Sequence, residues 1–180
     1  CIRDRVVGRG SASCERFTPS ADGHMSDWAR TRRVSAEVVV GSDERLLGEL
    51  HLQPVGGRGS VEQPLDLLNR PESFLALTLR DSGVRLVSKE QLTAVAFEPA
   101  PPEAWERPLA RPYGVRVKMV DGQEFEGQIS VELPGVPRPI DFLNQPGSFF
   151  SLAAPERVWC LNRHRVLWVQ PLEGSPHGSA

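Results

Sequence analysis

Residues 64–79 read Pro64-Leu65-Asp66-Leu67-Leu68-Asn69-Arg70-Pro71-Glu72-Ser73-Phe74-Leu75-Ala76-Leu77-Thr78-Leu79, and residues 139–152 read Pro139-Ile140-Asp141-Phe142-Leu143-Asn144-Gln145-Pro146-Gly147-Ser148-Phe149-Phe150-Ser151-Leu152. Without a gap the two stretches share Pro, Asp, Leu, Asn, Pro, Ser, Phe and Leu at matching places. That agreement reads as an internal duplication. In each copy the leading apolar residues (Leu65, Leu67 and Leu68; Ile140, Phe142 and Leu143) have the spacing of a single helical turn, too short to persist unless it packs beneath a sheet. Pro71 and Pro146 disfavour helical backbone in the residue before them, so the turn is expected to stop by about Asn69 and Asn144.

Working outward from the phrase, each copy is preceded by a hairpin. In the first, Val34-Ser35-Ala36-Glu37-Val38-Val39-Val40 is rich in β-branched residues, Gly41-Ser42-Asp43 turns, and Leu46–Leu52 returns. In the second, Val115, Val117 and Met119 alternate with Arg116 and Lys118, Asp121-Gly122 turns, and Phe125–Val131 returns. Gly48 and Gly127 fall at equivalent points of the returning strands, where an isolated glycine marks a bulge or sharp bend. Pro/Gly-rich loops, Pro54–Gly59 and Pro134–Pro139, then lead into the phrase. After it come three strands: Phe74–Leu79, Val84–Val87 and Leu92–Phe97 in one copy, and Phe149–Leu152, Val158–Leu161 and Val166–Val169 in the other. The last two in each copy are joined by polar tight turns, Ser88–Gln91 and Asn162–Arg165.

The expected fold is therefore all-β: an internal duplication of a small five-stranded unit with one short helical turn between its second and third strands. Residues 1–33 are expected to be a disordered arm, because scattered Arg, Gly, Ser and Asp cannot bury enough apolar surface to offset ordering entropy. Gly23-His24-Met25 resembles a cloning scar or a start codon read through from upstream, which would make 1–24 foreign to the fold and Met25 the natural first residue. The repeats are placed at 34–97 and 115–172, with a stiff proline-rich linker at 98–114, pinned by Trp105, and a tail at 173–180. A unit of about 60 residues has a marginal core, so the halves are expected to pack on one another or the chain to oligomerise.

Charge and composition narrow the function. The net charge of -2 divides into +3 over residues 1–33, from seven Arg against four Asp/Glu, and -5 over the rest. The folded part is mildly acidic, which disfavours nucleic acid as a partner. Cys1, Cys14 and Cys160 have no CxxC spacing, so neither a disulfide framework nor a zinc site is expected, and no cofactor. No apolar run approaches the roughly 18 residues of a membrane span, and a cytoplasmic location is the expectation. The phosphate, metal and acyl-transfer motifs GxGxxG, GxxxxGK[ST], HExxH and GxSxG are absent, and no His or second acid recurs to activate Ser73 or Ser148, so an enzyme is not expected. Of the four histidines, His51 alternates with Leu50 and Leu52 as a solvent-facing residue would.

Five short strands with a glycine-bent second strand resemble tandem small SH3-like barrels of uncharacterised bacterial proteins, in particular the Sm-like kind found in tandem or ring-forming proteins. The likeness covers roughly residues 34–97 and 115–171, although here the helical turn follows the second strand instead of preceding the first. It implies a binding module. The residues of the shared phrase, Asp66, Asn69, Phe74, Asp141, Asn144 and Phe149, are expected to act as a structural latch, Asp and Asn capping the turn and Phe plugging the core.

The leading functional expectation is a non-enzymatic scaffold whose partner is another protein or a second copy of itself. A second reading comes from Trp28-Ala29-Arg30-Thr31-Arg32-Arg33, which sits where PilZ domains, small barrels that bind cyclic di-GMP, place an arginine cluster. That resemblance implies Arg30, Arg32 and Arg33 as cyclic dinucleotide ligands, but the Asp-x-Ser-x-x-Gly phrase of such domains is missing. A third is a weak RNA-binding surface at Arg163, His164 and Arg165, flanked by Trp159 and Trp168.

Overall fold

The computed structural model describes residues 31–55, 60–98, 111–131 and 138–172. They form β1 (Arg32–Val40), β2 (Glu44–Leu52), β3 (Pro54–Val55), β4 (Ser60–Val61), α1 (Pro64–Asn69), β5 (Phe74–Leu79), β6 (Gly83–Ser88) and β7 (Leu92–Phe97). A second series follows: β8 (Arg111–Met119), β9 (Glu124–Val131), α2 (Pro139–Leu143), β10 (Phe149–Ala153), β11 (Val158–Asn162) and β12 (Val166–Pro171). Short 3-10 turns, Lys89–Gln91 and Arg163–Arg165, precede β7 and β12. The protein is all-β, and α1 and α2 are the short turns expected between the second and third main strands.

Among the described residues, ten strands form a single antiparallel sheet in the order β12-β8-β9-β10-β11-β7-β1-β2-β5-β6, open at β12 and β6, while β3 and β4 pair with each other. The main strands of each half follow one order, last-first-second-third-fourth. Backbone bonds also match: Lys89 N–H donates to Ser73 O and Arg163 N–H to Ser148 O, while Gly41 N–H donates to Gln91 O and Val120 N–H to Arg165 O.

The second hairpin shows how pattern becomes structure. Tyr113, Val115, Val117 and Met119 are buried on one face of β8, and the intervening Arg116 and Lys118 lie opposite Glu126 and Glu124 of β9 and pair with them. Gly48 and Gly127 mark where the next strand crowds the backbone. A Cβ at Gly48 would lie 2.6 Å from the Thr78 carbonyl oxygen, and one at Gly127 2.4 Å from that of Ala153, so only glycine admits the approach of β5 to β2 and of β10 to β9.

Several expected boundaries move. The arm was expected through residue 33, but β1 begins at Arg32, and β8 begins at Arg111, inside the segment expected to be linker. The Pro/Gly-rich stretch after β2 carries the β3–β4 hairpin. The two halves are not held apart by a spacer: β7 pairs directly with β11, Phe97 opposite Val158, Ala96 opposite Trp159, Val95 opposite Cys160 and Ala94 opposite Leu161. The expected arm at residues 1–30, linker residues 99–110 with Trp105, and the tail at 173–180 lie outside the described residues.

Two apolar clusters flank this joint, and each borrows from the other half. The first gathers Val38, Leu50, Leu68, Leu77 and Val95 together with Phe149 and Cys160. The second gathers Val115, Met119, Ile129, Phe150 and Leu161 together with Val39 and Ala94. All six residues of β7 are buried, as a strand covered on both faces requires, which explains its unbroken run Leu92-Thr93-Ala94-Val95-Ala96-Phe97.

Candidate functional site

The expected latch residues divide by role. Asp66 Oδ2 accepts from the Gln63 N–H at 3.2 Å and Asp141 Oδ2 from the Arg138 N–H at 2.9 Å, each satisfying a backbone donor at the start of its helical turn. The hydrogen bonds from Arg138 also hold the Asp141 carboxyl below the usual carboxylate range. The two asparagines differ. Asn144 ends α2 through its backbone N–H, which donates to the carbonyls of Ile140 and Phe142. Asn69 instead reaches into the other half of the chain: its Oδ1 accepts from the Phe149 N–H at 2.8 Å and its Nδ2 donates to the Phe149 carbonyl at 3.1 Å. It bonds the first residue of β10 as a neighbouring strand would. Gly147, at φ +115, leaves room for it, since a Cβ there would lie 3.1 Å from Asn69 Oδ1.

The phenylalanines divide too. Phe149 is 2 % exposed and belongs to the cluster of the first half, so it plugs its neighbour's core. Phe74, at the matching place, is 59 % exposed, contrary to the expectation of a core plug. Among the described residues no other half lies beside β6, so Phe74 has no neighbouring core to fill.

Asn162, which reads in the sequence only as part of a polar tight turn, completes the joint. It is buried at the end of β11, donates through Nδ2 to the carbonyls of Lys89 at 3.2 Å and Leu92 at 2.9 Å, and accepts from the His164 N–H at 3.0 Å. Arg157 pairs with Glu37 across the joint at 2.7 Å, and the Thr93 hydroxyl donates to Asp121 at 2.8 Å. These polar ties set the register of a contact whose body is apolar.

Beside the joint both copies of the phrase meet in a cleft of about 620 Å³, lined on one side by Asn69, Arg70 and Lys89 and on the other by Asn144, Arg163 and His164. Its cations are mostly engaged with backbone. Lys89 Nζ donates to the carbonyls of Leu67 at 3.1 Å and Arg70 at 3.0 Å, and burial lowers its pKa from the usual lysine value. Arg163 at the matching position donates to the carbonyls of Gln145 and Gly147 and lies 5.7 Å from the Phe150 ring centre, with desolvation lowering its pKa. Each half thus uses a basic residue to tie down the loop after its helical turn. The signal was present in the sequence as a cation at matching places, Lys89 and Arg163. His164 is exposed and Arg165 half-buried.

Of the arginines expected to grip a cyclic dinucleotide, two fall among the described residues. Arg32 and Arg33 lie in β1, with Arg33 3.6 Å from Glu49 on β2, and Arg30 lies outside the described residues. His51, expected to face solvent, is half-buried between Thr31 and Thr78, its ring nitrogens 3.2 and 3.0 Å from their hydroxyls. Among the described residues there is no group of three potential metal ligands, and no helix long and apolar enough to cross a membrane.

Fold and joint together define an all-β protein whose two halves share one sheet through a strand-to-strand contact. No protein-family model matches the chain, and no curated protein or solved structure matches it significantly.

Proposed function

We propose that the chain is a non-enzymatic, cytosolic scaffold built from two copies of a small SH3-like or Sm-like barrel, and that it works by pairing its sheet edges with protein partners. The observation that carries this reading is the sheet itself: it joins two similar halves edge to edge and stays open at β6 and β12. An open strand presents a row of backbone donors and acceptors, and adding a strand from a partner is the ordinary way to satisfy them. The matching strand orders and the crowded glycines Gly48 and Gly127 support the duplication and the barrel resemblance.

The test is affinity capture from the native host with wild type, Leu86→Lys and Leu167→Lys, each variant placing a charge on one open edge. Partners bound by wild type and lost from one edge variant are the expected result. Capture unchanged by both substitutions overturns the edge reading.

A second reading, weak binding of RNA, is favoured by one observation: the cleft with Arg163 and His164 at its wall. It is checked by fluorescence anisotropy with a single-stranded RNA oligonucleotide at low and high salt. Binding that weakens as salt rises and is reduced by Arg163→Ala supports it, because contacts to phosphate release counterions. The cyclic dinucleotide reading through Arg30, Arg32 and Arg33 is tested by calorimetric titration with cyclic di-GMP, where absence of heat removes it.

A further inference from the structure

The contact that joins the two halves leaves behind, at the far ends of the sheet, the same two surfaces it uses. The internal joint brings the fourth main strand of the second half, β11, against the last strand of the first half, β7. The free edges are β6, the fourth main strand of the first half, and β12, the last strand of the second. The correspondence is fixed by pairing: Phe74 lies opposite Ser88 as Phe149 lies opposite Asn162, and β7 and β12 each leave a 3-10 turn, at Leu92 and Val166.

From this we infer that the chain associates head to tail with a second copy of itself, β6 of one molecule pairing antiparallel with β12 of the next in the register of the internal joint. This rests on the scaffold reading and names the partner for its edges. By that register Leu86 lies opposite Val169 and Val87 opposite Trp168, as Cys160 lies opposite Val95 and Leu161 opposite Ala94 inside the chain.

Three observations meet in this arrangement. First, apolar side chains are exposed at the free edges where the joint buries their counterparts: Leu86 is 68 % exposed and Cys160 2 %, Leu167 is 61 % exposed and Thr93 fully buried, and Trp168 is 40 % exposed where Ala94 is fully buried. Second, Phe74 is an exposed plug. Its counterpart Phe149 fills the core of the half beside it, and the head-to-tail arrangement places Phe74 against the second half of the neighbouring molecule. Third, the Asn69 clamp on the Phe149 backbone has an exposed counterpart in Asn144, which the same arrangement brings to the Phe74 backbone of the next copy. A strand edge, a plug and a clamp are thus left open together.

Two departures set the strength. Pro171 stands where the joint has Phe97, and a proline supplies no ladder N–H. Glu72 stands where Gly147 makes room for Asn69. The intermolecular joint is therefore weaker than the internal one, and association depends on concentration. Because the contact joins two different surfaces, it has no built-in stop at a dimer: it closes into a ring or continues as a chain, according to the rotation each step introduces.

Light scattering and native mass spectrometry on the purified full chain, over a concentration series, test this. Wild type is expected to give masses at whole multiples of the monomer that grow with concentration. Leu86→Lys, which blocks β6, and Leu167→Lys, which blocks β12, are each expected to be monomeric, with melts close to wild type because both positions are exposed. Mixed in equal amounts they are expected to give a heterodimer and nothing larger, since each retains the edge the other lacks. A wild-type monomer at every concentration overturns the inference. So does a homodimer of either variant, which would show like edges pairing. A monomeric wild type that still captures other proteins through an edge sinks self-association alone and leaves the scaffold reading standing.

Discussion

At the residue scale, one side chain type in one phrase acquires two roles through its neighbours. Asn69 and Asn144 occupy the same place in the two copies, yet Asn69 supplies both a donor and an acceptor to Phe149 across the joint while Asn144 remains exposed. Asn69→Ala is therefore expected to cost about 1–3 kcal/mol, the range for leaving partly buried backbone groups without partners, and Asn144→Ala much less. Urea denaturation of the monomer checks the contrast, and equal losses would remove the clamp. Cys160 makes a second prediction. Burial pushes its thiol up from 9.0 to about 12, so it is expected to resist alkylation at pH 8 in the native protein and to label only after unfolding. Site-resolved mass spectrometry reads this independently of Cys1 and Cys14. The sign of the linkage follows: with the folded pKa raised, the unfolded chain releases its proton first, so this contribution to stability is complete below pH 9 and declines as pH rises toward 12.

At the element scale, the value of a strand depends on whether its edge is covered. β7 and β12 are equivalent in order and follow matching turns, but β7 is buried throughout and β12 is half-buried to exposed. The same contrast separates the residues that open β5 and β10. Phe149→Ala is expected to destabilise the monomer by about 3–5 kcal/mol, as removal of a buried aromatic ring does. Phe74→Ala is expected to stay within about 0.5 kcal/mol, as for an exposed position. Thermal melts of the two variants at low protein concentration check this, and a large loss from Phe74→Ala would show that its ring is buried.

At the scale of the whole molecule, the two halves share apolar contacts too closely to melt apart. Val39 and Ala94 complete the second core, Phe149 and Cys160 complete the first, and β7 and β11 are hydrogen-bonded along the joint. At concentrations where the chain is monomeric, unfolding is expected to be one cooperative transition, with calorimetric and van't Hoff enthalpies equal. Two resolved transitions would show that the halves fold as independent domains. Val95→Asp, which puts a carboxylate at the centre of the joint, is expected to destabilise the single transition as a whole.

Alternating apolar residues, turn dipeptides, paired prolines and the repeated phrase were enough to place the main strands and both helical turns, because these depend on short-range sterics and on a period of two. The capping aspartates were legible for the same reason, whereas Gly48 and Gly127, which read as marks of a bulge or bend, stand in unbroken register and make room for the next strand. What the sequence could not carry was the partner of each edge. Nothing within residues 64–79 or 139–152 distinguishes Asn69 from Asn144 or Phe74 from Phe149; the distinction arises because β7 has β11 beside it and β6 ends the sheet. Likewise Arg163 reads as a free cation until the loop carbonyls of Gln145 and Gly147 close around it. Local pattern thus determined which elements form. Only the tertiary structure decided which surfaces they share, since strand pairing is made by backbone groups that every residue type but proline carries alike.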